Sequence, residues 1–432
     1  CRRDNDFVLV IENYARNLKL IESFCTYARD DCSMIVSERT EVHELTLTKF
    51  NELTSGRNVS FYDLDTLDNE EISRLSKLFD SRGLWGERAA LQDIQKKSYL
   101  KEDCGKQMQS VLIELAKSPL VKRKLDTIVS HFESLDGGLR ILIGLCLIQA
   151  VGEQPRVDVA SELLKLDYHS FSNLSRDNIA RQIVSVQSSL ANFRSPVMAG
   201  AVLKGLRSAS VVTEIVSDCI INGHNLKYAD SFLGTISKEL MRFGNLERIL
   251  PENGKRQALQ NLYEGVKSVP EIRRNPHYWL QYAMARLSLG EIDIARRYFE
   301  QSYSFAGKIG NYDTFQIDNH YCRLLLREAE DTNNSDEAYK SVDQALTTLK
   351  KQVLRENRHY PYRSAWSLEG VVKRHHESWT AEQKKSVVSA ARYLEDAAKR
   401  LEPQVARSVS VVGGLQRLKR VIEVLENSEK SS

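Results

Sequence analysis

The chain has 432 residues, 42% apolar and 28% charged, with only 21 Gly and 8 Pro. This excludes a collagen, a disordered tail or a small disulfide scaffold, and it suits long helices joined by short loops in two to four domains. Sixty-one Lys and Arg stand against 58 Asp and Glu, mostly interleaved, which reads as ion-paired helix surfaces and gives no case for a nucleic-acid partner. Seven scattered cysteines without a C-x-x-C pair read as reduced thiols. The longest apolar stretch, Ile141 to Val151, is too short to span a bilayer. The expectation is a cytoplasmic protein with no membrane partner.

Phe7 to Ile11 is a continuous β-branched run that predicts a strand buried on both faces. Leu18, Ile21, Phe24, Cys25 and Ala28 then recur at helical spacing, and Ser33 to Ser37 predicts a second strand, so residues 1–62 read as a parallel βαβ unit. A strand buried on both faces needs sheet neighbours that are not evident in this sequence. This predicts that the chain is the C-terminal part of a longer polypeptide.

Beyond Leu64 the pattern is helical. Asp68 with Glu71 predicts a capping box, and Ile72, Leu75, Leu78 and Phe79 an apolar stripe that Gly83 ends. Residues 63–135 form one helical segment, with a break at Ser118-Pro119. Asp136-Gly137-Gly138 turns the chain into an apolar helix, Leu139 to Val151. Two further amphipathic stretches, Val157 to Leu166 and Ile179 to Phe193, complete three short helices in residues 136–250. Their size and the break after them resemble a winged-helix module; a plain helical bundle is the alternative.

From Pro251 the pattern becomes helix pairs. Trp279, Ala283, Leu287, Gly290, Ala295 and Phe299 fall near tetratricopeptide spacing, in which small residues let paired helices approach and aromatic residues fill the grooves between them. Leu325, Ala338, Val342 and Ala345 make a looser second copy. Residues 251–426 read as such repeats, and 427–432 as a disordered tail. Hot-spot chemistry makes Tyr360, Tyr362, Arg363 and Trp366 the first surface candidates for a partner, against a packed interhelical loop.

The sharpest chemistry stands at the start. Phe7 to Ile11 ending in Glu12 fits a Walker B strand, where an acid at the carboxyl edge of the sheet holds Mg²⁺ through water or orients the attacking water. Arg39 follows the next strand, where an arginine fork can bridge phosphate oxygens and sense a γ-phosphate. The bland reading of Glu38, Arg39 and Glu41 is a solvated loop cluster.

These strands, with Leu67 to Ile72 and Gly83-Leu84-Trp85-Gly86, resemble the second half of a STAND-class NTPase, the group that includes NB-ARC proteins. Phe193 to Ala199 and Asn275 to Ala283 are similar to prokaryotic STAND proteins of antiviral defence, some of which carry an N-terminal sirtuin-like, NAD-consuming domain. The resemblance implies the C-terminal half of an α/β P-loop domain, a helical lid, a winged helix and a repeat array sensing a protein trigger or peptide. It also implies ATP and Mg²⁺ as cofactors, with Glu12 catalytic and on the metal and Arg39 on the nucleotide, and assembly into a homo-oligomer. Two departures qualify it. No G-x-x-x-x-G-K-[ST] loop occurs, so these residues alone should not turn over ATP. Asn13 stands where a second acid is common, which predicts slow hydrolysis with nucleotide serving as a switch. The rival reading is a helical-repeat scaffold without nucleotide chemistry; a transcription regulator is disfavoured by the lack of a basic C-terminal helix-turn-helix.

Overall fold

The β-branched runs pair as expected. In the computed structural model β1 (Val8–Glu12) and β2 (Ser33–Ser37) are parallel, with Val10 opposite Ile35 and Glu12 opposite Ser37. The crossover runs through α1 (Leu18–Tyr27), and α2 (Thr40–Leu53) follows β2. The structure describes residues 7–29, 31–38, 40–62, 64, 66–116, 118–151, 156–187, 190–193, 196–227, 231–406 and 408–430. The chain divides into two units, Cys1–Leu64 and Asp65–Ser432.

In the first unit the strand period of two decides burial. Leu9, Ile11, Met34 and Val36 pack with Ile21 and Phe50 of the helices. Val8, Val10 and Ile35, on the other face, are 57%, 62% and 59% exposed. The expectation of burial on both faces is therefore met on one face only, the one that the two helices cover. Arg57 closes the unit by donating from Nη2 to the Cys25 and Ala28 carbonyls at 3.1 and 2.9 Å. A cation there complements the carboxyl end of α1.

The second unit opens with α3 (Asn69–Arg82), whose cap forms as predicted. Asp68 Oδ1 accepts from the Glu70 and Glu71 amides at 2.7 and 2.8 Å, and Glu71 Oε2 accepts from the Asp68 amide at 2.8 Å. Gly83 ends the helix at φ +63°, which a residue with a Cβ adopts only under strain. Ile72 and Phe79 pack with Trp85, Leu100 and Val111, where α4 (Asp93–Glu102) and α5 (Met108–Ala116) complete a small cluster. Leu78 leaves the predicted stripe and is exposed. Six residues from Ile72 is about two-thirds of a turn away, whereas Ser76 lies one turn on, is buried, and donates to Asp93 Oδ1 at 3.1 Å.

Ser118 caps α6 (Pro119–Ser134), with Pro at its first position. The chain continues through α7 (Gly138–Ala150), α8 (Val157–Leu164) and α9 (Tyr168–Arg176). The stretch expected to supply a third short helix, Ile179 to Phe193, is instead mostly strand: β3 (Val184–Gln187) and β4 (Leu190–Phe193) form an antiparallel pair, and Leu190 also bridges Arg156. Ala191 and Phe193 are buried two residues apart, so the apolar period is that of a strand.

Next come α10 (Pro196–Gly205), α11 (Ala209–Leu226), α12 (Ser231–Met241), α13 (Phe243–Ile249), α14 (Lys255–Val266) and the short α15 (Pro270–Arg273). One apolar core runs from Leu125 on α6 to Ala285 in the first repeat-like helix. The expected boundaries after residues 135 and 250 therefore fall inside a single core. A buried tyrosine ties the two sides of position 250: Tyr263 Oη donates to the Met241 carbonyl at 3.0 Å, and on the C-terminal side Tyr278 Oη donates to the Tyr263 carbonyl at 2.8 Å.

The helix pairs then form as predicted. α16 (Pro276–Ser288) turns at Gly290, φ +76°, into α17 (Ile292–Ala306), and Ala283, Ala295 and Phe299 are sealed between them. α18 (Phe315–Asp331) pairs with α19 (Ser335–Arg355), burying Ala338, Val342 and Ala345. The array closes with α20 (His359–Ser364), α21 (Leu368–His375), α22 (Ala381–Ala398), α23 (Pro403–Ala406) and α24 (Val409–Lys430). The expected tail is thus helical as far as Lys430, because α24 continues past its last buried contact at Leu425 and Ser428 Oγ bonds the Leu425 carbonyl at 2.7 Å. Among the described residues no helix is long and apolar enough to cross a membrane.

Candidate functional site

The carboxyl ends of β1 and β2 lie side by side, which is where a parallel sheet presents groups to a ligand. Glu12 ends β1 on its uncovered face and is exposed. Asn13 follows in the left-handed region, φ 51° and ψ 54°. This conformation is uncommon for a residue with a Cβ, and Asn tolerates it better than most. The kink turns the chain so that Tyr14 is driven into the core beside Phe50, ring centroids 4.8 Å apart.

Behind that turn is a polar cluster that the sequence did not announce. Tyr14 Oη lies 2.7 Å from His43 Nδ1 and 3.3 Å from Thr46 Oγ1, both on α2. The Ala15 amide donates to Glu38 Oε2 at 3.1 Å. Burial raises the Tyr14 hydroxyl above the ordinary phenol range and lowers the His43 imidazole, with Glu38 opposing the latter. His43 is therefore neutral near pH 7, and its ring serves as a hydrogen-bonding post for the turn. The signal for this cluster was present but spread out: Tyr14 stands two residues after Glu12, and His43 and Thr46 share one helical face.

Arg39, the other half of the expected nucleotide pair, lies outside the described residues. A single exposed carboxylate at a strand end suits a water-mediated Mg²⁺ contact, but it supplies only one ligand. Among the described residues no three His, Cys, Asp or Glu side chains gather as a metal cage.

The partner-binding candidates of the array are corrected in part. Tyr362 is fully buried, its hydroxyl donating to Asn357 Oδ1 at 2.9 Å. Trp366 is half-buried under α24: its Nε1 donates to the Ser410 carbonyl at 3.0 Å, and the Arg417 guanidinium stacks on the ring at 4.3 Å. The cause is Gly414, where a Cβ would stand 2.5 Å from the Tyr362 carbonyl oxygen. This bare backbone lets α24 lie directly on α20, and both aromatic residues become packing. Tyr360 is half-buried against Phe315 and His359, and Arg363 is exposed.

No family model matches the sequence, and no curated protein matches it. Among solved structures, the chain is similar to a signal-transduction ATPase with numerous domains (STAND) that bears a tetratricopeptide repeat sensor, from Pyrococcus horikoshii. The identity is 12%, over 98% of this chain and 80% of that one, with a TM-score of 0.21.

Proposed function

We propose that this chain is part of a STAND-class NTPase and works as a nucleotide-dependent sensor and oligomerisation switch, with antiviral defence as its setting. The observation that carries the reading is the parallel β1–β2 pair, in register from Val8 opposite Ser33 to Glu12 opposite Ser37. It sets an acid at the edge of the sheet one strand away from the segment that leads into Arg39. In this reading Glu12 serves Mg²⁺ and the attacking water, and Arg39 reads the γ-phosphate of ATP. The missing phosphate loop would come from sequence outside this chain.

Two further features support the order of parts. Helices α7 to α9 are followed by the β3–β4 hairpin, and the bridge from Arg156 to Leu190 adds a third short strand contact, the connectivity of a winged helix. The pairs α16–α17 and α18–α19 then offer repeat surfaces suited to a protein trigger. A switch of this kind needs two states whose stability differs with the nucleotide. Mass photometry of the full-length protein with its trigger should therefore show higher oligomers with ATP and monomers with ADP. Identical mass distributions in both nucleotides would refute the switch.

A further inference from the structure

Within the first unit, a set of touching rings joins the turn after Glu12 to the segment by which the chain leaves that unit. The left-handed Asn13 sends the next residue inward, and Tyr14 is buried beneath α2. Its ring meets Phe50 at 4.8 Å and His43 at 5.9 Å between centroids, and its hydroxyl lies 2.7 Å from His43 Nδ1. His43 and Phe50, two turns apart on one face of α2, stand 6.3 Å from each other. Both also touch Phe61, at 5.7 and 6.5 Å.

Phe61 belongs to the segment that follows α2 and ends the first unit at Leu64. The segment is pinned at its start, where Arg57 reaches the Cys25 and Ala28 carbonyls. Beyond Arg57 it buries little: Phe61 is half-exposed, and Tyr62 is 84% exposed. A stretch with so few buried contacts opens at low free-energy cost, and its position depends on the contacts it does make. The Phe61 ring seated on His43 and Phe50 is such a contact. At the other end the packing is tight, so Tyr14 cannot shift without displacing His43 or Phe50.

We propose that Tyr14, His43, Phe50 and Phe61 form a coupling element, in which a movement of the Asn13–Tyr14 turn seats or releases residues 57–62. His43 is the positioning residue at its centre, because it holds the Tyr14 hydroxyl by a hydrogen bond and the Phe61 ring by contact. The proposal deepens the nucleotide-switch reading: a change at Glu12 would be passed to the segment that leads out of the first unit. The coupling itself can be measured without nucleotide. It is also reciprocal, so loosening Phe61 must loosen the turn.

The test is limited chymotrypsin digestion of the full-length protein without nucleotide, following cleavage after Phe61 and Tyr62 by mass. Tyr14→Phe, which keeps the ring and removes the hydroxyl, should speed that cleavage about three- to tenfold, the effect of one lost hydrogen bond or aromatic contact. His43→Leu should do at least as much, while Tyr27→Phe, which removes an exposed hydroxyl, should change nothing. Cleavage elsewhere should stay at the wild-type rate, which separates release of this segment from general loss of stability. In the reverse direction, Phe61→Ala should speed hydrogen exchange of the Ala15 and Asn17 amides, which are bonded to Glu38 and to the Tyr14 carbonyl, and Tyr62→Ala should not. Unchanged cleavage in Tyr14→Phe, or unchanged exchange at the turn in Phe61→Ala, would overturn the proposal even if His43→Leu fails to fold. Repeated with ATP and with ADP, the wild type should be cut at two different rates. Equal rates with the coupling intact would sink the nucleotide reading and uphold the coupling; different rates without coupling in the variants would do the reverse.

Discussion

Phe299→Ala should lower stability by about 3 to 5 kcal/mol, because the ring is fully buried between α16 and α17 with Ala283, Ala295, Ile317 and Leu324. Its loss opens a cavity in the seam that joins the first helix pair to the second. Overfilling the same seam should also hurt: Ala283→Trp must displace neighbours at a position with no exposure, at about 1 to 3 kcal/mol or more. Leu354→Ala is the control, since that side chain is 72% exposed and its loss should stay within about 0.5 kcal/mol. Urea titrations of the three variants check the order. A Phe299→Ala loss as small as that of Leu354→Ala would mean that the pair does not pack through this residue.

Phe132→Ala should cost a similar amount, about 3 to 5 kcal/mol, and its reach is the more telling result. Phe132 on α6 is fully buried in the same core as Tyr263 on α14 and Tyr278 on α16. Hydrogen exchange of the variant should therefore show amide protection falling together in α7, α14 and α16, as one cooperative unit. Protection lost in α7 but kept in α14 would restore a boundary near residue 250.

The features that could be read ahead were those set by neighbours in sequence. The Asp68–Glu71 cap, the Gly83 stop and the Ala283, Gly290, Ala295 spacing depend on residues within a turn or a hairpin of one another, so their patterns survive in one dimension. The β3–β4 hairpin was missed because Ile179 to Phe193 also satisfies a helical pattern, and only the buried Ala191 and Phe193 reveal a strand. Tyr362 and Trp366 looked like surface anchors because nothing near them in sequence says that α24 returns over α20. That fact is written in Gly414, about fifty residues later, where the absence of a Cβ admits the contact.

At the candidate site Glu12 ends β1, the strand that its β-branched run predicts, while the helix α2 was not foreseen and the Tyr14, His43 and Thr46 cluster that braces the turn depends on it. The proposed switch depends on what lies just past β2. The most direct measurement is a titration of the full-length protein and its Arg39→Ala variant with ATP and with ADP, using calorimetry. Loss of an arginine contact to the γ-phosphate should cut the preference for ATP by about 2 kcal/mol and leave ADP affinity nearly unchanged. Equal affinities for the two nucleotides before and after the substitution would contradict a sensor role for Arg39 and, with it, the nucleotide switch.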